Sequence, residues 1–234
     1  PYYLQLKSSG VLHFVLRLWT DKGFMAYATN SQAMMGFYFG LVIVMALYNL
    51  LIYINIREKV HLFYVIYIVC FSLFVGSKNG VTYQFLWPDS PYWSNISTPF
   101  FVGTSIISAF VFAREFLRTW EHTPRLDKMI LVLMGLAFIE ILVVFTGNLS
   151  LAAIMCVTIG ISLSPIIWLS GVLSWIAGYR PARFFVIAWT FFLTTIAISG
   201  FMHAGLLPTN TFTSYAMQFG SALEIILLSW ALAD

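Results

Sequence analysis

Residues 34–56 read MMGFYFGLVIVMALYNLLIYINI, an apolar run without a charged side chain. A hydrocarbon core about 30 Å thick is crossed by roughly 20 apolar residues in a helix, so this run is long enough for one membrane span. The rest of the chain is similar, because 60% of its 234 residues are hydrophobic and only 9% are charged. Soluble domains are about 25% charged. A chain with so little polar surface is predicted to lie in lipid.

Six more apolar segments follow the first one. They are predicted at residues 60–77, 97–113, 129–146, 149–177, 182–204 and 214–233. Short turn-forming stretches separate them, such as REK (57–59), TGN (146–148) and GLLPTNT (205–211). The sequence therefore predicts an all-α bundle of seven transmembrane helices. A six-span alternative would place VHLFYVIYIV (60–69) in the membrane interface.

Lysine and arginine are distributed unevenly over the predicted loops. The loops after the second, fourth and sixth spans contain only Lys78. The loops after the first, third and fifth spans contain eight such residues: Arg57, Lys59, Arg114, Arg118, Arg125, Lys128, Arg180 and Arg183. Cytoplasmic loops are enriched in these residues. The N-terminus is therefore predicted to lie outside the cell and the C-terminus in the cytoplasm.

Residues 1–30 show a different pattern from the spans. Apolar and polar side chains alternate over 4–7 and again over 12–19, on either side of the turn SSG (8–10). A period of two on both sides of a turn predicts a β-hairpin. A lone hairpin is marginally stable in water, so we expect it to be the last piece of a truncated extracytoplasmic β-sandwich domain. The seven-span module would then occupy residues 31–234.

A carboxylate, Glu224, lies within the last apolar helix. An ionisable group at that depth costs at least about 2.5 kcal/mol and tends to face the bundle interior. Gln218 and Ser221 precede it on the same helix, and Asn49 offers an amide in the first span. We expect these residues to form a polar cluster in which Glu224 is hydrogen-bonded across helices. Such a cluster can be a clasp that fixes helix packing, or it can take part in switching or proton handling.

Glu140 is the other carboxylate well inside a span, and it has no polar neighbour on its own helical face. We expect it to pair with another helix. The histidines show neither HxxxH nor HExxH spacing, which are patterns of catalytic metal sites. No metal or cofactor is therefore expected. Cys70 and Cys156 fall inside apolar runs and imply no disulfide framework.

The loop KNGVTYQFLWPDSPYWSN (78–95) is long and aromatic. Its tryptophans and tyrosines suit the lipid headgroup layer, so one interpretation is an interfacial anchor. The other interpretation is an outer ligand site or lid, with the candidate residues Asn79, Tyr83, Trp87, Trp93 and His203. In the predicted cytoplasmic loops the candidate functional residues are Arg114, Arg118, Arg180 and Arg183.

Several fragments occur in register along the chain. They are YNLLIY (48–53), NGVTYQFLWPDSPYW (79–93), FAREFL with TPRLDK (112–117 and 123–128), GYRPARFFVIAW (178–189), GLLPTN (205–210) and YAMQFGSALEIILLSWALAD (215–234). The set resembles the bacterial seven-transmembrane receptors with diverse intracellular signalling modules, 7TMR-DISM. The resemblance implies a sensor in the bacterial inner membrane.

In such receptors an outer domain thought to bind carbohydrates or related ligands precedes the spans. A histidine kinase, diguanylate cyclase or phosphatase domain follows them. The partners implied are the lipid bilayer, these two flanking domains and a second copy in a homodimer. No nucleic acid, cofactor or catalytic residue within the chain is implied, and any enzyme activity would belong to a domain beyond residue 234.

A proton-coupled transporter using Glu224 and Glu140 is the alternative function. The charges are few, and no pair of broken spans in matching halves suggests inverted repeats. A retinal protein needs a lysine in its last span, whereas the last lysine here is Lys128. The seventh span also lacks the NPxxY pattern of eukaryotic receptors. A signalling module is therefore the favoured interpretation.

Overall fold

The computed structural model describes residues 19–233. Within them the chain forms nine helices: α1 (Asp21–Ile56), α2 (Lys59–Lys78), α3 (Val81–Phe85), α4 (Pro91–Leu117), α5 (Thr119–His122), α6 (Pro124–Phe145), α7 (Leu149–Ile176), α8 (Ala182–His203) and α9 (Thr211–Ala233). All of these except α3 and α5 are long and apolar enough to cross a membrane. The prediction of seven spans is confirmed, and α2 is one of them rather than an interfacial segment.

Several spans begin earlier than the sequence pattern predicts, and α1 and α4 differ most from it. α1 begins at Asp21, because the Thr20 side chain accepts a hydrogen bond from the Gly23 amide at 3.2 Å and caps the helix. Residues 21–30 are therefore helical, which corrects the boundary of the predicted hairpin segment. The predicted hairpin strands, 4–7 and 12–19, lie outside the described residues except for Trp19.

α4 begins at Pro91 rather than near residue 97. Proline is favoured at the first helical position, because its missing amide hydrogen has no partner there in any case. The predicted outer loop is also partly helical, since it contains the short helix α3. The connection between the second and third spans is therefore shorter and more ordered than the sequence suggests.

The seven spans form a closed ring in chain order. Each span packs against the next one, and α1 closes the ring against α9. Two further contacts, between α4 and α7 and between α2 and α9, cross the interior. α1 is the least buried span, because most of its apolar side chains, including Phe37 and Leu47, face outward.

An aromatic core joins α2, α4 and α8. The ring of Phe112 lies 4.8 Å from that of Tyr64, measured between centroids, and stacks on that of Tyr67 at 6.1 Å. Phe71 meets Phe192 of α8 edge-on at 5.3 Å. Aromatic pairs of this kind add about 0.5–1.5 kcal/mol beyond the area they bury. The core therefore holds α2 in place, and α2 presents its tyrosine hydroxyls to α9.

Candidate functional site: a polar seam along α9

Polar groups of α1 and α2 contact α9 along most of its length. The hydrogen-bonded pairs are Ser31–Tyr215, Tyr38–Ser221, Tyr67–Glu224, Tyr64 with the Ile225 carbonyl, and Asn49–Ser229. We call this set the polar seam. Lipid offers no replacement partners for such groups. The seam therefore ties α9 to α1 and α2 in a defined register.

Glu224 lies in the middle of the polar seam and is fully buried. The Tyr67 hydroxyl lies 3.0 Å from both carboxyl oxygens of Glu224 and donates to the carboxyl group. Tyr38 and Tyr64 are close enough to interact with it electrostatically. Among the described residues no salt bridge includes Glu224. The carboxyl group is therefore bonded to one phenol of α2 rather than to a cation, and the phenols of Tyr38 and Tyr64 bond to Ser221 and to the Ile225 carbonyl of the same helix.

The pairs on either side of Glu224 are also buried. The Ser221 hydroxyl donates to the Tyr38 hydroxyl at 3.2 Å. The Asn49 amide donates to the Ser229 hydroxyl at 2.8 Å and to the Met45 carbonyl at 2.9 Å. These two contacts therefore come from α1, whereas the contacts at Glu224 and at the Ile225 carbonyl come from Tyr67 and Tyr64 of α2.

The four residues predicted to form a cluster lie along one seam, but their side chains do not bond to one another. Gln218 is buried, and its Oε1 atom has no hydrogen-bond partner among the described residues. The actual partners include Tyr38, Tyr64 and Tyr67, which sequence reasoning missed. A tyrosine in an apolar helix looks like any other large aromatic residue, so no signal in the sequence marked these three.

Glu140 forms a separate buried contact on the other side of the bundle. Its Oε1 atom accepts a hydrogen bond from the Cys156 thiol of α7 at 3.1 Å. Its Oε2 atom lies against Gly103 of α4, at the place where a Cβ atom would otherwise stand. The predicted pairing of Glu140 with another helix is confirmed. Among residues 19–233 no three His, Cys, Asp or Glu side chains meet as a metal site requires.

Four of the predicted outer residues belong to a packed loop. Trp87 and Trp93 lie 6.1 Å apart between ring centroids, and both contact Phe101 of α4. The Asn79 side chain bonds to a backbone carbonyl at the end of α2. Tyr83 is exposed. The two tryptophans therefore pack against the bundle, and the anchor and the lid both stay predictions.

A cavity of about 1200 Å³ opens at the end of the bundle where α1 and α9 begin and α8 ends. We call it the Tyr215 cavity, because Tyr215 lines it together with Ser31, its partner in the polar seam. His203 also lines this cavity, whereas the four predicted loop residues do not. The structure thus separates His203 from the other candidates for an outer site.

A smaller cavity of about 410 Å³ lies at the opposite end, where the basic loops meet. We call it the Arg118 cavity; Glu58, Tyr179 and the end of α9 at Ala231 and Leu232 also line it. Burial raises the pKa of the Tyr179 hydroxyl, an effect that Arg118 opposes and Glu58 reinforces. Tyr179 therefore stays neutral at physiological pH.

The four predicted loop arginines have different surroundings. Arg114 forms a two-pronged salt bridge with Asp127, with N–O distances of 2.6 and 3.1 Å. This bridge fixes the turn between α4 and α6. Arg118 lines the Arg118 cavity, and Arg180 and Arg183 are exposed. The structure does not bring the four together into one site.

The arrangement of the spans and of the fragments can be compared with known families. A family model described as 7TM diverse intracellular signalling matches residues 31–234. The chain belongs to this family. The 7TMR-DISM domain is a transmembrane sensory and signalling module. The resemblance inferred from the fragments is thereby confirmed, whereas comparison with curated proteins and with solved structures gave no match.

In this 7TMR-DISM module α9 reaches both ends of the bundle. It lines the Tyr215 cavity through Tyr215 and the Arg118 cavity through Ala231 and Leu232. Between the two cavities it is held by the polar seam. A change at one cavity can therefore reach the other through one continuous helix.

Proposed function

We propose that this module relays an extracytoplasmic signal to a cytoplasmic output domain by a shift of α9 within the bundle. The observation that supports this most strongly is the position of α9, which lines a cavity at each end and is held by the polar seam between them. Small helix shifts at packed interfaces are an established way to transmit a signal. A signal that favours one of two seam packings would change their populations.

Glu224 sets the preference between the two packings in this proposal. Leaving a buried polar group without a partner costs about 1–3 kcal/mol, so the carboxyl group must keep a donor wherever α9 moves. Tyr67 is its donor in the described packing. The Tyr38 hydroxyl bonds to Ser221, three residues before Glu224, and the Tyr64 hydroxyl bonds to the carbonyl of the next residue, Ile225. A shifted α9 could therefore exchange one phenol for another.

The rest of the receptor follows from family membership and the charge pattern. The basic loops would face the cytoplasm of a bacterium, with the module in the inner membrane and the Tyr215 cavity outside. A β-sandwich that binds a carbohydrate or a related ligand would precede α1. A histidine kinase, diguanylate cyclase or phosphatase would follow α9, and two copies would work as a dimer.

The transporter alternative gains no support from the geometry. Glu224 contacts α2, whereas Glu140 contacts α4 and α7. Neither glutamate lines the Tyr215 cavity or the Arg118 cavity. The two carboxyl groups are therefore not joined into a path for a proton or a substrate by either cavity.

The test is to measure output activity in the receptor that carries its output domain. Glu224→Gln and Tyr67→Phe should change basal activity or its response to the signal, while membrane insertion stays normal. Tyr92→Phe is the matched control, because Tyr92 is 68% exposed and lies outside the seam. If both seam variants are inserted and signal like the unmodified receptor, the relay proposal is wrong.

A further inference from the structure

We propose that the Tyr215 cavity is a binding site for an uncharged amphiphile, a molecule with a neutral hydrogen-bonding head and an apolar chain. The further claim that α9 responds to this ligand rests on the relay function proposed above. Three features support this site: the polarity of its lining, the apolar side chains in that lining, and the contact between Ser31 and Tyr215.

The polar lining of the cavity consists mostly of amides and hydroxyls, supplied by Asn30, Ser31, Asn210, Ser214 and Tyr215. His203 also lines it, with its Nδ1 atom 2.6 Å from the Ser199 carbonyl. Among the described residues no Asp, Glu, Lys or Arg side chain lines the cavity. Burying a charge without a counter-ion is strongly unfavourable. The lining therefore suits a head with hydroxyl or amide groups, and the described residues offer no carboxylate, ammonium or guanidinium group to pair with a charged head.

The apolar part of the lining reaches the outward surface of the bundle at Phe37. Met34 and Phe37 of α1 and Met202 of α8 contribute apolar side chains to it. Phe37 is 75% exposed, so this wall continues into the outward surface of the least buried span. A ligand with an apolar chain can enter from the bilayer by this route. The volume of about 1200 Å³ exceeds the roughly 300–1,000 Å³ of typical small-molecule sites, which leaves room for a head and part of a chain.

The cavity also contains the first contact of the polar seam. The Tyr215 hydroxyl donates to the Ser31 hydroxyl at 2.8 Å, and both residues line the cavity. A ligand head that bonds to either hydroxyl competes with this contact. Its binding would loosen α1 from α9 at one end of the seam and favour a different position of α9.

The site can be tested by photolabelling in phosphatidylcholine nanodiscs. The probe is a monoacylglycerol with a diazirine in its acyl chain, and labelled residues are mapped by mass spectrometry. We expect adducts on the α1 and α9 segments that line the cavity, and competition by unlabelled monoacylglycerol. Ser214→Trp, which fills the cavity, should lower this labelling about tenfold, as a loss of 1.4 kcal/mol would. Gln32→Trp is the control, because Gln32 is exposed on α1 and does not line the cavity.

Several outcomes would overturn the site. Labelling spread evenly over the lipid-facing helices, or labelling unchanged by Ser214→Trp, would show only bulk lipid contact. Asn30→Trp provides a second cavity-filling change if the first variant does not fold. Equal competition by glycerol would rule out the need for a chain, and equal competition by the matching fatty acid or lysophosphatidic acid would rule out an uncharged head.

The site and the relay can fail separately. A monoacylglycerol that labels the cavity without moving α9 would leave the site standing and contradict its link to the seam. Absence of cavity labelling, combined with an α9 that moves in Tyr67→Phe, would remove the site and leave the relay standing.

Discussion

The Tyr67–Glu224 contact allows a quantitative test of the polar seam. Both residues are buried, and the Tyr67 hydroxyl lies 3.0 Å from each carboxyl oxygen. Tyr67→Phe removes the donor and leaves a buried carboxyl group unpaired, which should lower the free energy of unfolding by about 1–3 kcal/mol. Glu224→Leu leaves the phenol unpaired and should also destabilise. Glu224→Gln keeps an acceptor for Tyr67 and should cost less than either change.

The double variant provides the decisive comparison. With Tyr67→Phe and Glu224→Leu combined, no unpaired polar group remains at the contact, so the double variant should be less destabilised than the sum of the single variants. Hydrogen bonds between membrane helices contribute about 0.6 kcal/mol on average and up to about 1.7, and this range is the expected coupling energy. Unfolding would be followed by tryptophan fluorescence during denaturant titration in mixed micelles, with Tyr92→Phe as control. Single effects that add to within about 0.3 kcal/mol would refute the contact.

Two further predictions concern contacts outside the seam. Gly103→Ala places a methyl group against the Glu140 carboxyl group and should lower the free energy of unfolding by about 1–3 kcal/mol, as overpacking does. Gly135→Ala is the control, because nothing lies within 4 Å of its added Cβ atom, and it should be neutral or slightly stabilising. Equal effects of the two variants in the same unfolding titration would contradict the packing of Glu140 against Gly103. In Arg114→Lys the side chain can no longer form both hydrogen bonds with Asp127, so the melting temperature should fall by an amount equivalent to about 1 kcal/mol. An unchanged melting temperature would show that this bridge does not stabilise the turn.

The fold could be predicted from the sequence because each span carries its own signal. Apolar length and short polar breaks are local features, and together they located all seven spans. The beginning of α1 was missed because residues 21–33 contain polar side chains that lower their hydropathy. Thr20, whose side chain caps α1 by accepting a hydrogen bond from the Gly23 amide, is a single residue in the sequence. It was therefore a weaker signal than the alternation of apolar and polar residues before it.

The sequence predicted the buried glutamates of the candidate contacts but not their partners. A glutamate in an apolar helix stands out, so Glu224 and Glu140 were found. Their partners were not, because Tyr67 and Cys156 look like ordinary components of apolar helices. Tyr67 also lies 157 residues before Glu224 in the chain, and spacing within one helix gives no information about a contact between α2 and α9.

The relay is tested most directly by measuring the position of α9. Spin labels would be placed at Trp230→Cys on α9 and Met129→Cys on α6, both at exposed positions, with the native cysteines replaced by serine. Double electron–electron resonance in nanodiscs would then compare the unmodified seam with Tyr67→Phe and with the control Tyr92→Phe. The relay predicts that Tyr67→Phe alone populates a second distance, displaced by about 1–5 Å, the range of helix shifts at packed interfaces. The same single distance in all three proteins would contradict it.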